Sequence, residues 1–249
     1  MASIVSIADG AGTVAVAHAL ASLTIVVGAL VLLYYLYTYV RVVLAEPYRH
    51  RWWYMAVGVA AGGVYGAAGL LDLLLSARWL GLFTEGATLF FILFLALGLR
   101  TLYHFGPGAR DGDPGPPRWV DYLVIGVFVL AWWAGFLTSR PDWVGVVEAV
   151  GWVGATLWAI GYGVLVVRGQ EGTSVAALVR HLLPAVFCFS LIVFAGLAGR
   201  YLPGSTALAA GTRIVGTVLV GAFLFNAAVA LRQQSGEVSR YYDPTTWRE

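Results

Sequence analysis

The sequence predicts an all-α bundle of seven transmembrane helices, and three observations carry that prediction. Hydrophobic residues make up 60% and charged residues 11% of the 249 residues, against about 45–50% and about 25% in soluble domains. Seven stretches are long and apolar enough to cross a bilayer core of about 30 Å, which takes roughly 20 helical residues. The segments between them are short turns or carry Arg, Pro and Gly. Mean hydropathy is +0.80. A water-soluble fold cannot hide so much apolar surface, so a soluble enzyme, a nucleic-acid binder and a disordered chain are not expected.

The first span, Val14–Val40, has no basic segment before it and too long an apolar run for a signal-peptide core, so it is not expected to be cleaved. The second, Trp52–Leu75, carries Gly58, Gly62 and Gly66, with Ala61 and Gly69 beside them. Such a ridge lets another backbone approach closely. Packing inside the bundle is the preferred reading and a dimer interface the alternative. A tight turn, Ser76–Arg78, leads to the third span, Trp79–Tyr103. The loop FGPGARDGDPGPPR, Phe105–Arg118, is too polar and Pro-rich to be anything but solvated. The fourth span, Trp119–Leu137, and the fifth, Trp143–Val167, are joined by the short turn Thr138–Asp142. The sixth, Ala176–Leu202, contains Pro184, which removes one helical hydrogen bond and predicts a kink. The seventh, Leu208–Leu231, completes one domain over residues 1–232. The polar tail Gln233–Glu249 is expected to be partly unstructured and to bring no second domain. Trp52, Trp53, Tyr54, Trp79, Trp119 and Trp143 sit at span starts, where amphipathic rings anchor at headgroup depth.

Arginine placement predicts the direction. One side carries Arg41, Arg49, Arg51, Arg100, Arg110, Arg118, Arg168, Arg180, Arg232, Arg240 and Arg248; the other has Arg78, Arg140, Arg200 and Arg213. This bias puts the N-terminus outside and the C-terminus in the cytoplasm of a cell-membrane protein. All fifteen cationic residues are Arg. Without a lysine amine, Schiff-base chemistry is excluded. A net charge of +2 gives no reason to expect a nucleic-acid partner. The lone Cys188 forms no internal disulfide, and no Cys/His spacing suggests a metal.

Ionisable groups inside spans are costly and are functional candidates by default. His18, Asp72, Glu85 and Glu148 fall roughly 5–10 Å below the outer face, counting about 1.5 Å per helical residue. Arg78, Arg200 and Arg213 lie at a similar level. Three readings remain open for this layer: salt bridges locking the outer ends, an outward-facing pocket for an ion or small polar ligand, and a proton relay. Towards the cytoplasm the clearest polar side chain is Asn226, helped by Ser190, and no carboxylate is expected there, which argues against a complete proton path. His50, His104 and His181 fall at helix ends, where a cation is ordinary electrostatics and a haem sandwich lacks its paired histidines. No G-x-S-x-G, H-E-x-x-H or P-loop pattern occurs, so no enzymatic activity is expected.

Arginines closing spans one, three, five and seven (Arg41, Arg100, Arg168, Arg232), with Arg49-His50 echoed by Arg180-His181, suit a three-plus-one-plus-three arrangement. The positive-inside bias alone would also place most of them there.

Seven spans, the short turn after the second, and Ala77-Arg78-Trp79 followed by Leu82-Phe83-Thr84 make the chain similar to the microbial rhodopsins. About eight positions carry the likeness, with a one-residue gap. The family's Asp counter-ion has no match, because Gly81 and Leu82 occupy that region and Glu85 falls one turn deeper. Where the family places its retinal lysine stand Phe223–Asn226. The resemblance therefore implies a lysine-less relative without covalent retinal, to which a carotenoid or retinal could bind only non-covalently. It points to a sensor, a receptor-like protein or an accessory subunit, with a membrane protein partner or a second copy of the chain beside it in the lipid bilayer. The candidate ligand-binding residues are Asp72, Arg78, Glu85, Glu148, Arg213, His18 and Asn226, and the alternative function is a small-solute or ion transporter.

Overall fold

The computed structural model describes residues 2–40, 52–75, 77–105, 117–137, 142–201, 204 and 206–241. His50, the body of the Phe105–Arg118 loop and residues 242–249 lie outside them. The described residues are helical apart from short turns, and contain no strand. The helices are α1 (Ala2–Tyr35, ending in a π-helical turn, Leu36–Val40), α2 (Trp53–Leu75), α3 (Arg78–Phe105), α4 (Arg118–Leu137), α5 (Asp142–Gly169), α6 (Ser174–Tyr201) and α7 (Thr206–Tyr241). Six of them contain stretches long and apolar enough to cross a membrane; the apolar part of α4 is shorter, Trp119–Ala134. This is the pattern of a multi-pass membrane protein.

Two helix limits differ from the sequence reading. α1 starts at Ala2, well before Val14, and α7 runs on through the polar tail to Tyr241. The residues Ala2–Thr13 and Gln233–Tyr241 contain no proline, so nothing in either stretch interrupts the helical hydrogen-bond ladder. Pro184 lies inside an unbroken α6.

Packing follows a closed circuit. α1 touches α2 and α7, α2 packs on α3, α3 on α5, α5 on α6, and α6 on α7. α4 stands outside this ring, leaning lightly on α3 and α5. It is fitted over two glycines. Trp132 covers Gly86 of α3, where an added Cβ would lie 2.5 Å from the indole Nε1, and Phe128 covers Gly151 of α5 in the same way. The Trp132 indole also donates to the Leu82 carbonyl at 3.1 Å.

The glycine ridge of α2 is turned inward on both sides. Gly58 and Gly62 face Leu95 and Phe91 of α3, while Gly66 and Gly69 face Ser22 of α1. α1 and α7 meet through Gly28 and Gly221, with a Cβ on Gly28 falling 2.6 Å from the Gly221 carbonyl oxygen. Small residues thus let backbones meet closely where lipid supplies no hydrophobic drive for helix association. Midway along the bundle, Phe91, Phe189, Ile25 and Leu224 are fully buried, with Phe91 and Phe189 rings 4.2 Å apart.

Candidate functional site

At the end of the bundle where α2 turns into α3, a cavity of about 320 Å³ opens between α2, α3, α5, α6 and α7. Asp72, Glu85 and Arg213 line it together, each half-buried. They come from three helices. The described lining thus carries two carboxyl groups and one guanidinium group. His18 of α1 stands beside this group, close enough to feel the charges of Arg213 and Asp72. Gly69 lets Ser22 of α1 approach, since a Cβ there would lie 2.7 Å from Ser22 Oγ.

Thr84 and Thr88 add two hydroxyls to the wall, one helical turn apart on α3. Each donates its proton to a carbonyl of its own helix, Thr84 to Gly81 at 2.8 Å and Thr88 to Thr84 at 2.7 Å. Their lone pairs are left as acceptors. The Tyr65 hydroxyl lies 3.4 Å from Thr217 Oγ1, and Thr217 donates to the Arg213 carbonyl at 2.6 Å. Thr217 has a single proton, so Tyr65 must be the donor of their shared bond and offers the cavity an acceptor oxygen.

Trp152 of α5 is the donor that projection missed. It lines the cavity, is 5% exposed, and its indole N–H has no hydrogen-bond partner among the described residues. A buried donor left unmade costs about 1–3 kcal/mol. On the sequence it was indistinguishable from the interfacial tryptophans, apart from its place nearly three turns inside the fifth span. On the inner side, Phe189 packs edge-on to Tyr65 at 5.2 Å and against Phe91, so an aromatic floor separates the cavity from the rest of the interior.

The side chains of Arg78, Glu148 and Arg200 lie outside the described residues, although Glu148 precedes Trp152 by four residues on α5. Asn226 is a correction: it is exposed on the outer surface of α7, while Leu224 and Ala227 take the core positions. The helical period decides this, because residues 220, 224, 227, 228 and 231 form the buried stripe and 226 lies off it.

A second correction concerns the opposite end, where no carboxylate was expected. Asp121, in the first turn of α4, forms an ion pair with Arg100 of α3, and both are buried. The Arg100 guanidinium also sits over the Trp158 ring, 5.7 Å from its centroid. Nearby, Gln170 Nε2 donates to the Leu102 carbonyl at 2.9 Å, tying the α5–α6 turn to the end of α3. His104 packs between Tyr103 and Tyr162, with centroids 5.0 and 5.8 Å away. Arg100 had been assigned to loop-end positive charge; its partner is 21 residues away across the Pro-rich loop, a separation that periodicity does not register. Farther into the bundle, Ser190 donates to the Val186 carbonyl, so the 3.0 Å bond between Thr156 and Ser190 is donated by Thr156.

Among the described residues, no three of His, Cys, Asp and Glu converge as metal ligands. Fold and cavity together define a multi-pass helical membrane protein with a charged recess at one bundle end. No family model, curated protein or solved structure matches the chain.

Proposed function

We propose that the protein is a receptor-like sensor or accessory subunit of the cell membrane, without enzymatic activity, that binds a small amine from the outer face. In this reading the N-terminus is outside and the α2–α3 end is external, on the strength of the arginine bias. α4 serves as the seventh span: its 20 residues reach about 30 Å, the thickness of the hydrocarbon core. The microbial-rhodopsin likeness becomes kinship without the retinal lysine, and the ligand site is displaced from mid-membrane to the outer recess.

One observation carries the proposal: Asp72, Glu85 and Arg213, from three helices, line a single cavity. A carboxylate pair favours a cationic group. Arg213 and the Trp152 N–H are donors that need an acceptor on the same ligand. The fitting class is a small amine that also carries an oxygen, such as an amino alcohol or a zwitterion. A bound ligand would act on the partner through the aromatic floor or through α4.

The test is the thermal midpoint of the purified protein in nanodiscs, titrated with ethanolamine and with ethylammonium. Stabilisation by ethanolamine exceeding that by ethylammonium, and lost in Glu85→Gln, supports the reading. Equal midpoints with and without either amine defeat it. If Glu85→Gln changes only the midpoint of the free protein, the charges serve as structural ties.

A second reading, a small-solute transporter, is favoured by the place of α4 outside a ring made of α1–α3 and α5–α7. Two three-helix units joined by an outlying helix could rock against one another around the cavity. Uptake of labelled ethanolamine into sealed vesicles, abolished by Glu85→Gln, would decide for it.

A further inference from the structure

A groove of about 470 Å³ runs along the flank of the bundle between α5 and α6, far from the charged recess. Its walls are Ile160, Val164 and Val167 from α5 and Leu183, Pro184 and Phe187 from α6. At the α5–α6 end it is closed by two arginines, Arg168 and Arg180, both exposed. The helices are antiparallel and joined by the tight turn Gln170–Thr173, with Gly172 at φ 82° and the Thr173 hydroxyl capping α6 through the Ala176 N–H. That turn holds the two guanidinium groups near one level. Neither arginine forms an ion pair among the described residues.

We infer that this groove holds one anionic phospholipid, with the phosphate between Arg168 and Arg180 and an acyl chain along the apolar trench. The dimensions agree. From Arg168 to Ile160, and from Arg180 to Phe187, the helices rise about 10–12 Å, most of the roughly 15 Å of one hydrocarbon leaflet. The polarity runs the right way, with cations at the rim and hydrocarbon below, and basic pockets between spanning helices recognise lipid headgroups in this manner. Pro184 adds an acceptor: it has no N–H for the carbonyl four residues earlier, that of Arg180. A hydroxylated headgroup such as glycerol could donate to that carbonyl. An unoccupied trench of this kind in a bilayer would be filled by lipid in any case. The two unpaired guanidinium groups select which lipid.

The experiment uses the full chain. Wild type, Arg168→Gln/Arg180→Gln and Val164→Trp are reconstituted in phosphatidylcholine vesicles with and without phosphatidylglycerol. Thermal midpoint and the phosphatidylglycerol retained after detergent extraction, by native mass spectrometry, are recorded. Wild type should gain thermal stability with phosphatidylglycerol and carry one retained molecule. The double variant should lose about thirtyfold in retention. Val164→Trp, which keeps both arginines but fills the trench, should lose retention as well, separating a groove from a merely cationic surface. The inference is overturned if wild type responds alike to both lipids, if either variant retains phosphatidylglycerol as wild type does, or if soluble glycerol phosphate reproduces the whole effect.

Discussion

Two regions of this molecule hold charge within apolar helices, and they do so in opposite ways. At the α5–α6 end, Arg100 and Asp121 are both buried, pair directly, and the guanidinium rests on Trp158. Each charge has its complement. At the α2–α3 end, Asp72, Glu85 and Arg213 are half-buried around open volume, beside a Trp152 N–H that has no partner among the described residues. The first arrangement fastens α4 to the ring. The second leaves the Trp152 donor and the threonine and tyrosine acceptors facing open volume. Desolvated charge is therefore an ambiguous signal by itself; whether its partners are internal decides between a tie and a site.

Four substitutions sharpen or break that contrast, in descending order of their effect on stability. Arg100→Met strands Asp121 as a buried carboxylate and should cost about 3–5 kcal/mol in chemical denaturation, with most of the loss recovered when Asp121→Leu is added. A small loss from the single variant would mean that the pair is solvated and the two ends are alike. Phe189→Leu thins the aromatic floor beneath the recess for about 1 kcal/mol; ethanolamine should still bind, and a lost response would place the floor within the ligand's reach. Trp152→Phe removes an unmet donor, so stability should hold or rise by up to about 1 kcal/mol. The preference for ethanolamine over ethylammonium should narrow in the same variant.

Gly196→Leu has the smallest expected effect on folding. Gly196 lines the cavity, and a Cβ there meets nothing within 4 Å, so the midpoint should stay within about 0.5 kcal/mol of wild type. Amine stabilisation should nevertheless vanish, since the new side chain occupies the recess. Retained binding in this variant would dissociate the cavity from the proposed function.

The candidate site was legible in part. Helical rise alone brought Asp72, Glu85 and Arg213 to one depth, because 1.5 Å per residue converts position in a span into height. Height says nothing about azimuth, which is why Asn226 was taken for an interior group although it faces outward. Trp152 had one mark, its place well inside the fifth span, but position alone does not tell an indole that lines a cavity from one that faces lipid. Asp121 was passed over because its value comes from Arg100, across a loop whose length carries no pairing information.

The sequence by itself determined that this chain has the apolar helices of a multi-pass membrane protein, roughly where they fall, and that the second of them packs through glycine. Those features depend on local composition and period, which survive without knowledge of neighbours. Tertiary structure alone decided that α4 stands outside the ring, that one carboxylate is neutralised while two others share a cavity, and that α5 and α6 part to form a lipid-sized trench. Each of these depends on how rigid helices rotate about their axes and lean on one another, a matter of side-chain fit between segments distant in the chain.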